Sequence, residues 1–115
     1  MTENQYQAKL VRRLRDRFPG AMIIKNDSGY LQGICDLLIL YKDKWGFLEV
    51  QRSANAAEQV NQKYYVEQLN EMSFAAFIYP ENEEEVLSAL QQAFEPPRRA
   101  RISKSKSVPL GELHA

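Results

Sequence analysis

Two apolar stretches decide the fold of this chain: Gly33-Ile34-Cys35-Asp36-Leu37-Leu38-Ile39-Leu40 and, after a short turn, Gly46-Phe47-Leu48-Glu49-Val50-Gln51. Each has the composition of a β-strand, yet each also carries acidic or amide side chains where a strand normally has none. A carboxylate inside a strand is costly unless something binds it. The two stretches therefore predict a hairpin that holds a metal site.

Alternation along the strands gathers the acidic side chains on one face of the predicted hairpin. Asp36 lies on one face of the first strand, and Glu49 and Gln51 share one face of the second. If Tyr41 pairs with Gly46 across a four-residue turn, Asp36 faces Gln51. The two carboxylates are then diagonal neighbours, roughly 7–8 Å apart at the backbone. One cation can bridge that span.

Two carboxylates this close repel each other, which raises the pKa of one of them. A divalent cation removes the conflict, and oxygen ligands select Mg²⁺ or Mn²⁺. Such a site is typical of phosphodiester hydrolysis. Two plainer interpretations stay open at this point. Asp36 alone fits a solvated strand end, and Glu49 fits a buried salt bridge to Arg52 or Lys25.

Periodicity and turn signals predict a single domain over residues 1–95. The predicted order is a helix at 3–18 with Thr2 as its N-cap, a strand at 21–25, a loop at 26–33, strands at 36–41 and 46–51 joined by a turn at 42–45, a helix at 54–71 after Ser53 as N-cap, a strand at 74–79 and a helix at 82–94. A helix between the third and fourth strands implies a parallel crossover in an otherwise antiparallel sheet. The fold class is therefore α/β with a mixed four-stranded sheet.

The second predicted helix carries an apolar stripe that we expect to face inward. Its members are Ala57, Val60, Tyr64, Tyr65, Leu69 and Met72. Gln62 and Lys63 lie on another flank, from which they could reach either the acidic site or a nucleic acid.

Composition narrows the class of protein further. The chain has 115 residues, 44% of them apolar, which is enough for one core. It contains no apolar run long enough to span a membrane. Cys35 is the only cysteine, which excludes a disulfide framework and a cysteine-built zinc site. The single histidine argues against a histidine-rich metal site. A reducing, cytoplasmic location is expected.

The net charge of zero hides an uneven distribution. Residues 1–95 hold ten Lys or Arg against fourteen acids, whereas residues 96–115 hold five basic residues against Glu112. The C-terminal segment has no apolar periodicity, and we predict a disordered basic tail. Such tails often contact nucleic acid.

The quoted motifs resemble the PD-(D/E)XK nuclease superfamily, and most closely its VRR-NUC and Holliday-junction-resolvase-like branch. Gly33-Ile34-Cys35-Asp36 corresponds to the Gly-x-Pro-Asp strand, and Glu49-Val50-Gln51 to the Glu-x-Lys strand. Glu3 matches the glutamate of the first helix, and Gln62-Lys63-Tyr64-Tyr65 matches the later helix with its glutamine. The resemblance covers residues 3–79 and implies a restriction-endonuclease-like fold. The chain departs from the pattern at Cys35, which replaces proline, and at Gln51, which replaces lysine.

The resemblance also implies roles for these residues. Asp36 and Glu49 would bind Mg²⁺ or Mn²⁺, with the Val50 carbonyl and Glu3 as further ligands, and Gln51 would position the attacking water. Gln can hydrogen-bond but supplies no positive charge. The residues expected to contact DNA are Gln62, Lys63, Arg12, Arg13, Arg98, Arg99 and Arg101.

The function expected from these features is a Mg²⁺-dependent DNA endonuclease, acting on branched or structured DNA. Because two cuts need two sites, a homodimer is a further expectation. One alternative is a DNA-binding or regulatory module that keeps the nuclease fold and has lost catalysis. A weaker alternative is a protein-interaction domain whose acids only form salt bridges.

Overall fold

The computed structural model of this protein describes residues 1–27 and 29–95. The predicted basic tail therefore lies outside the described residues. The elements follow one another as α1 (Glu3–Arg17), β1 (Met22–Lys25), β2 (Leu37–Tyr41), β3 (Lys44–Val50), α2 (Val60–Met72), β4 (Phe74–Ile78), a 3₁₀ turn (Pro80–Asn82) and α3 (Glu83–Phe94). This order matches the predicted one.

The four strands form one mixed sheet in the order β1-β2-β3-β4. β2 runs antiparallel to both β1 and β3, whereas β4 lies parallel to β3. The parallel pair is joined by α2, as a crossover requires. The predicted α/β class and mixed sheet are confirmed.

One face of the sheet carries the hydrophobic core. The inward side chains of β2 and β3 pack with α1 and α3, and the fully buried members include Leu10, Leu37, Ile39, Leu48 and Leu90. Thr2 caps α1 as predicted, because its hydroxyl accepts from the Gln5 N–H at 3.1 Å while the Gln5 side chain accepts from the Thr2 N–H. The other face of the sheet is covered by α2 over β3 and β4.

Ion pairs tie α1 to α3 at the edge of this core. The Arg13 guanidinium contacts both oxygens of Glu83, at 2.6 and 2.8 Å. The buried Tyr6 hydroxyl also donates to Glu83, at 2.9 Å. Arg17 reaches Glu84 at 3.1 Å. The basic face of α1 is therefore partly engaged within the protein.

The predicted start of α2 is wrong, because the helix begins at Val60 and Ser53 is not its N-cap. The segment before it turns instead. Its backbone is held by other partners, since the Ala54 N–H donates to the Glu81 side chain at 3.2 Å and the Ala56 N–H donates to the Ser53 carbonyl. The Glu81 side chain thus accepts from a backbone N–H that would have no partner at the start of a helix.

The predicted inward stripe of α2 is also wrong. Ala57 lies before the helix and is exposed, as are Val60, Tyr64 and Met72, while only Tyr65 and Leu69 of that stripe are half-buried. The helix is instead rotated so that Gln62 faces the sheet, where it hydrogen-bonds to Glu49.

The β2–β3 hairpin is tighter than predicted. Tyr41 pairs with Lys44, so the turn contains two residues, and Lys42 takes the left-handed conformation at φ 57°. The predicted register, with Asp36 facing Gln51, is therefore wrong by two residues. Because a shift of two keeps every side chain on its face, the predicted faces survive.

Candidate functional site

Asp36 and Glu49 lie next to each other at the end of the β2–β3 ladder. The last regular pair is Leu37 with Leu48, so the next step of the register sets Asp36 directly opposite Glu49. Directly opposite side chains start about 4.5–5.5 Å apart, which is closer than the predicted diagonal arrangement. The carboxylates project from the face that also carries α2. The structure thus brings together the two acids on which the sequence prediction depends.

Asp36 is held in place from both sides. Its Oδ2 accepts a hydrogen bond from the Val50 N–H at 2.8 Å. Its backbone carbonyl accepts from the Asn26 N–H at 2.8 Å, and the Asn26 side chain donates to the Cys35 carbonyl at 2.7 Å. Asn26 is a positioning residue that the sequence prediction missed, and its only signal was an amide side chain directly after a strand.

Glu49 is 3% exposed and half of its carboxylate is satisfied. Oε2 accepts from the Gln62 Nε2 at 2.8 Å. Oε1 has no hydrogen-bond partner. Among residues 1–27 and 29–95 it is the one fully buried side-chain oxygen or nitrogen that lacks such a partner. An unpartnered buried carboxylate oxygen is costly, so this atom is where a ligand would be most stabilising.

Gln62 can make its contact because the start of α2 fixes its amide. The Gln62 Oε1 accepts from the Gln59 N–H at 2.9 Å, which leaves the Nε2 to donate. The same side chain thus satisfies a free N–H at the helix start and orients Glu49. Gln59 was missed from the sequence, because the prediction started this helix too early.

Burial dominates the electrostatics of the acid pair. It raises the pKa of Glu49 to about 8, and the nearby Asp36 adds to the shift. Burial also raises the pKa of Asp36, against the lowering effect of the Val50 N–H and of Lys25. At neutral pH the pair therefore retains a proton that two exposed carboxylates would lose.

The alternative interpretation of Glu49, a salt bridge to Arg52 or Lys25, is not supported within the described residues. The ion pairs in the described part of the chain are Arg13–Glu83, Arg17–Glu84 and Lys44–Asp43. Arg52 and Lys25 are both exposed. The two acids are therefore not explained as a structural ion pair.

Glu3 lies in the first turn of α1 and is exposed. Partial burial raises its pKa, the charge of Asp36 raises it further, and Arg52 lowers it. Glu3 is thus within electrostatic range of Asp36. Even so, no group of three or more His, Cys, Asp or Glu side chains within residues 1–27 and 29–95 is arranged to hold a metal ion. The protein supplies a carboxylate pair, and Glu3 stays outside it.

Gln51 and Val50 complete the end of β3. Gln51 is 4% exposed, and its N–H donates to the Ile78 carbonyl of β4 at 2.8 Å. Alternation sets its side chain on the same face as Glu49. Because the N–H and C=O of a strand residue point to the same neighbouring strand, the Val50 carbonyl points to the side where Asp36 lies.

A cleft of about 430 Å³ opens beside this site. Its lining consists of Gln32, Gly33, Gln59, Val60, Asn61 and Gln62. Gly33 has φ +91°, and a Cβ there would overlap Asn61 at the start of α2. The glycine of the quoted motif is thus required twice, by its backbone conformation and by the close approach of the helix.

The predicted DNA-contacting residues have different positions. Gln62 lies at the acid pair, whereas Lys63 and Arg12 are exposed on the surfaces of α2 and α1. Arg13 is engaged with Glu83. Arg98, Arg99 and Arg101 lie outside the described residues.

Comparison of the chain with protein-family models found no matching family, and neither the curated proteins nor the solved structures contain a match. The described helices include none with the length and apolar character needed to cross a membrane.

Proposed function

We propose that this protein is a Mg²⁺-dependent DNA endonuclease that hydrolyses phosphodiester bonds in branched or structured DNA. The single observation that carries the proposal is the buried Glu49 Oε1 without a partner, beside the half-buried carboxylate of Asp36. An acid with a strongly raised pKa is a candidate functional group, and burial raises the pKa of Glu49 to about 8. Such a protein would have a restriction-endonuclease-like fold of the PD-(D/E)XK type and would act in the cytoplasm.

The donor set fits a hard divalent cation. Asp36 and Glu49 would hold it, with the Val50 carbonyl as a third oxygen and Glu3 near enough to contribute charge. Oxygen-only donors favour Mg²⁺ or Mn²⁺ over zinc. When bound, such an ion lowers the pKa of water and stabilises charge on a phosphate.

The chain's own side chains would orient the reactants. The Gln51 side-chain oxygen can accept a hydrogen bond from a water molecule, and its NH₂ group can donate to a phosphate oxygen, so Gln51 is suited to position the attacking water. Gln62 would hold Glu49 in one orientation through its Nε2. Lys63, Arg12 and the basic segment with Arg98, Arg99 and Arg101 would contact the DNA backbone, which predicts salt-dependent binding.

Cleavage assays test the proposal directly. The full chain is incubated with supercoiled, linear and four-way-junction DNA in Mg²⁺, Mn²⁺ or EDTA. Asp36→Asn and Glu49→Gln keep the size of each side chain and remove its charge, and we expect both to lower cleavage at least 100-fold. Glu67→Gln, an exposed acid on α2, is the matched control and should cleave like the wild type. Full activity in the Asp36 or Glu49 variant would refute the proposal.

A second candidate function is a DNA-binding module without catalysis. It is favoured by Gln51, which supplies no positive charge next to the acid pair. This module would bind DNA in a salt-dependent way and would not cleave it, whichever metal ion is added. The Gln51→Lys variant separates the two candidate functions. Cleavage by the wild type would exclude the non-catalytic DNA-binding module. Cleavage by the Gln51→Lys variant alone would support that module.

A further inference from the structure

The polar cleft beside the acid pair has no role in the proposed function. Its lining comes from two segments, the loop that ends at Gly33 and the start of α2, and its volume is about 430 Å³. A Cβ at Gly33 would overlap Asn61, so the loop and the helix are in direct contact where they line the cleft. A cavity of this volume is within the range that binds small organic groups.

The chemistry of the lining selects the class of ligand. None of the six lining residues is charged, and four of them carry a side-chain amide: Gln32, Gln59, Asn61 and Gln62. Gln32 and Asn61 are exposed, so their amides are open to a ligand, whereas both ends of the Gln62 amide are engaged. An amide presents a donor and an acceptor side by side, which matches the edge of a nucleobase. A phosphate, by contrast, needs donors alone.

An aromatic ring lies next to this lining. Tyr64 follows Val60 by four residues and Asn61 by three, so the three side chains share one side of α2. The Tyr64 side chain is 55% exposed, although its position in the sequence pattern predicted that it faces inward. Exposed aromatic rings are the groups on which unpaired bases stack.

We propose that the cleft binds one unpaired nucleobase of the DNA substrate. Gln32 and Asn61 would hydrogen-bond to the edge of the base, and Tyr64 would stack on its face. Gln62 lines the cleft and also donates to Glu49 Oε2 at 2.8 Å, so the base site directly adjoins the acid pair. The bound base would therefore belong to a nucleotide next to the phosphate at the acid pair.

This assignment explains why the substrate must contain an unpaired nucleotide. A base within a duplex has its edge hydrogen-bonded and its faces stacked, so it enters a pocket only after leaving the helix. A base that is already unpaired enters without that cost. The inference rests on the proposed function and narrows its substrate to DNA with an unpaired nucleotide beside the scissile phosphate.

Fluorescence anisotropy of the full chain in EDTA tests the base site without cleavage. The two probes are labelled strands of twelve nucleotides, one made of deoxyadenosine and the other of abasic residues. Both strands carry the same phosphates, so the effects of the acid pair and of the basic residues cancel in the ratio of the two Kd values. Amides pair well with adenine and tyrosine stacks on it, so the wild type should bind the adenine strand at least about tenfold more tightly.

Three variants remove the proposed contacts one at a time. Gln32→Ala, Asn61→Ala and Tyr64→Leu should each lower the ratio at least about threefold and leave the Kd of the abasic strand unchanged. Gln92→Ala is the matched control, because Gln92 is an exposed amide on α3, which packs against the opposite face of the sheet. Its ratio should equal that of the wild type. Circular dichroism shows whether each variant is folded, and Gln32→Ala tests the cleft even if a change on α2 unfolds the helix.

The outcomes separate this proposal from the nuclease proposal. A wild type that binds the two strands equally, cleft variants that keep the wild-type ratio, or a Gln92→Ala variant that loses the ratio as strongly would overturn the base site. A wild type that prefers the adenine strand but cleaves no DNA in Mg²⁺ would refute the nuclease and support the base site. A wild type that cleaves but binds both strands equally would refute the base site alone.

Discussion

The raised pKa of Glu49 predicts that this protein loses stability as the pH rises toward 8 in the absence of metal. In the unfolded chain Glu49 ionises near 4.5, whereas burial and Asp36 raise its pKa in the folded state to about 8. Between these values the folded protein keeps a proton that the unfolded chain has lost. The stabilisation of the folded state by this retained proton is therefore fully present below pH 4.5 and is lost as the pH rises through 8.

The size of this effect follows from the two pKa values. Each pH unit over which one proton is retained corresponds to about 1.36 kcal/mol. Allowing for partial titration at both limits, the free energy of unfolding should fall by roughly 3–4 kcal/mol from pH 5 to pH 8. Glu49→Gln has no proton to lose at this position. Its stability relative to the wild type should therefore rise by the same amount over that range.

Urea denaturation in EDTA, followed by the fluorescence of the single tryptophan Trp45, measures this difference at each pH. Adding Mg²⁺ at pH 8 to ten times its Kd should stabilise the wild type by about 1.4 kcal/mol and leave Glu49→Gln unchanged. Glu67→Gln, on the exposed side of α2, should follow the wild type at every pH. If wild type and Glu49→Gln differ by the same amount at pH 5 and pH 8, the argument from the buried acid pair is refuted.

Three further predictions concern the fold and can be checked by urea midpoints. Gly33→Ala should lower the free energy of unfolding by about 1–3 kcal/mol, because φ is +91° and the added Cβ would meet the start of α2; an unchanged midpoint would contradict this. Glu83→Ala should lower the free energy of unfolding by about 1–3 kcal/mol, since it leaves the buried Tyr6 hydroxyl without its acceptor. Arg13→Ala should lower it by about 1 kcal/mol or less, because the Arg13 side chain is 52% exposed. A larger loss for Arg13→Ala than for Glu83→Ala would contradict this account of the Tyr6–Glu83–Arg13 contacts. Lys42→Asn should stabilise by about 0.5 kcal/mol, because Asn tolerates the left-handed conformation better; a loss of stability would show that φ 57° is not strained there.

The element order was predictable because it depends on local signals. Alternation in the β-strands, the capping residue Thr2 and the periodicity of α1 and α3 all act within a few residues. That Asp36 and Glu49 share one face of the hairpin was predictable for the same reason, although their direct pairing was not. The register of the hairpin was predicted wrongly, since Lys42-Asp43 is a weak turn signal compared with Asn-Gly. The error of two residues preserved the faces, whereas an error of one would have removed Asp36 from the site.

The start and rotation of α2 could not be predicted from local signals. Ser53 is a reasonable N-cap in isolation, and the stripe through Val60 and Tyr64 has helical spacing. In the folded chain Glu81 takes the Ala54 N–H, and the need of Glu49 for a donor turns Gln62 toward the sheet. Both effects come from residues far away in sequence, so local patterns cannot contain them.

The double hydrogen bond of Gln62 has a consequence for the dynamics of α2. One end of its amide holds the Gln59 N–H and the other donates to Glu49, so the two contacts share a single rigid group. A donor binds an ionised carboxylate more strongly than a protonated one. Ionisation of Glu49 should therefore hold the amide more tightly and raise the protection of the Gln59 backbone proton, measured against its intrinsic exchange rate at the same pH. The first turn of α2 would then report, by hydrogen exchange alone, the charge state of an oxygen buried beneath it.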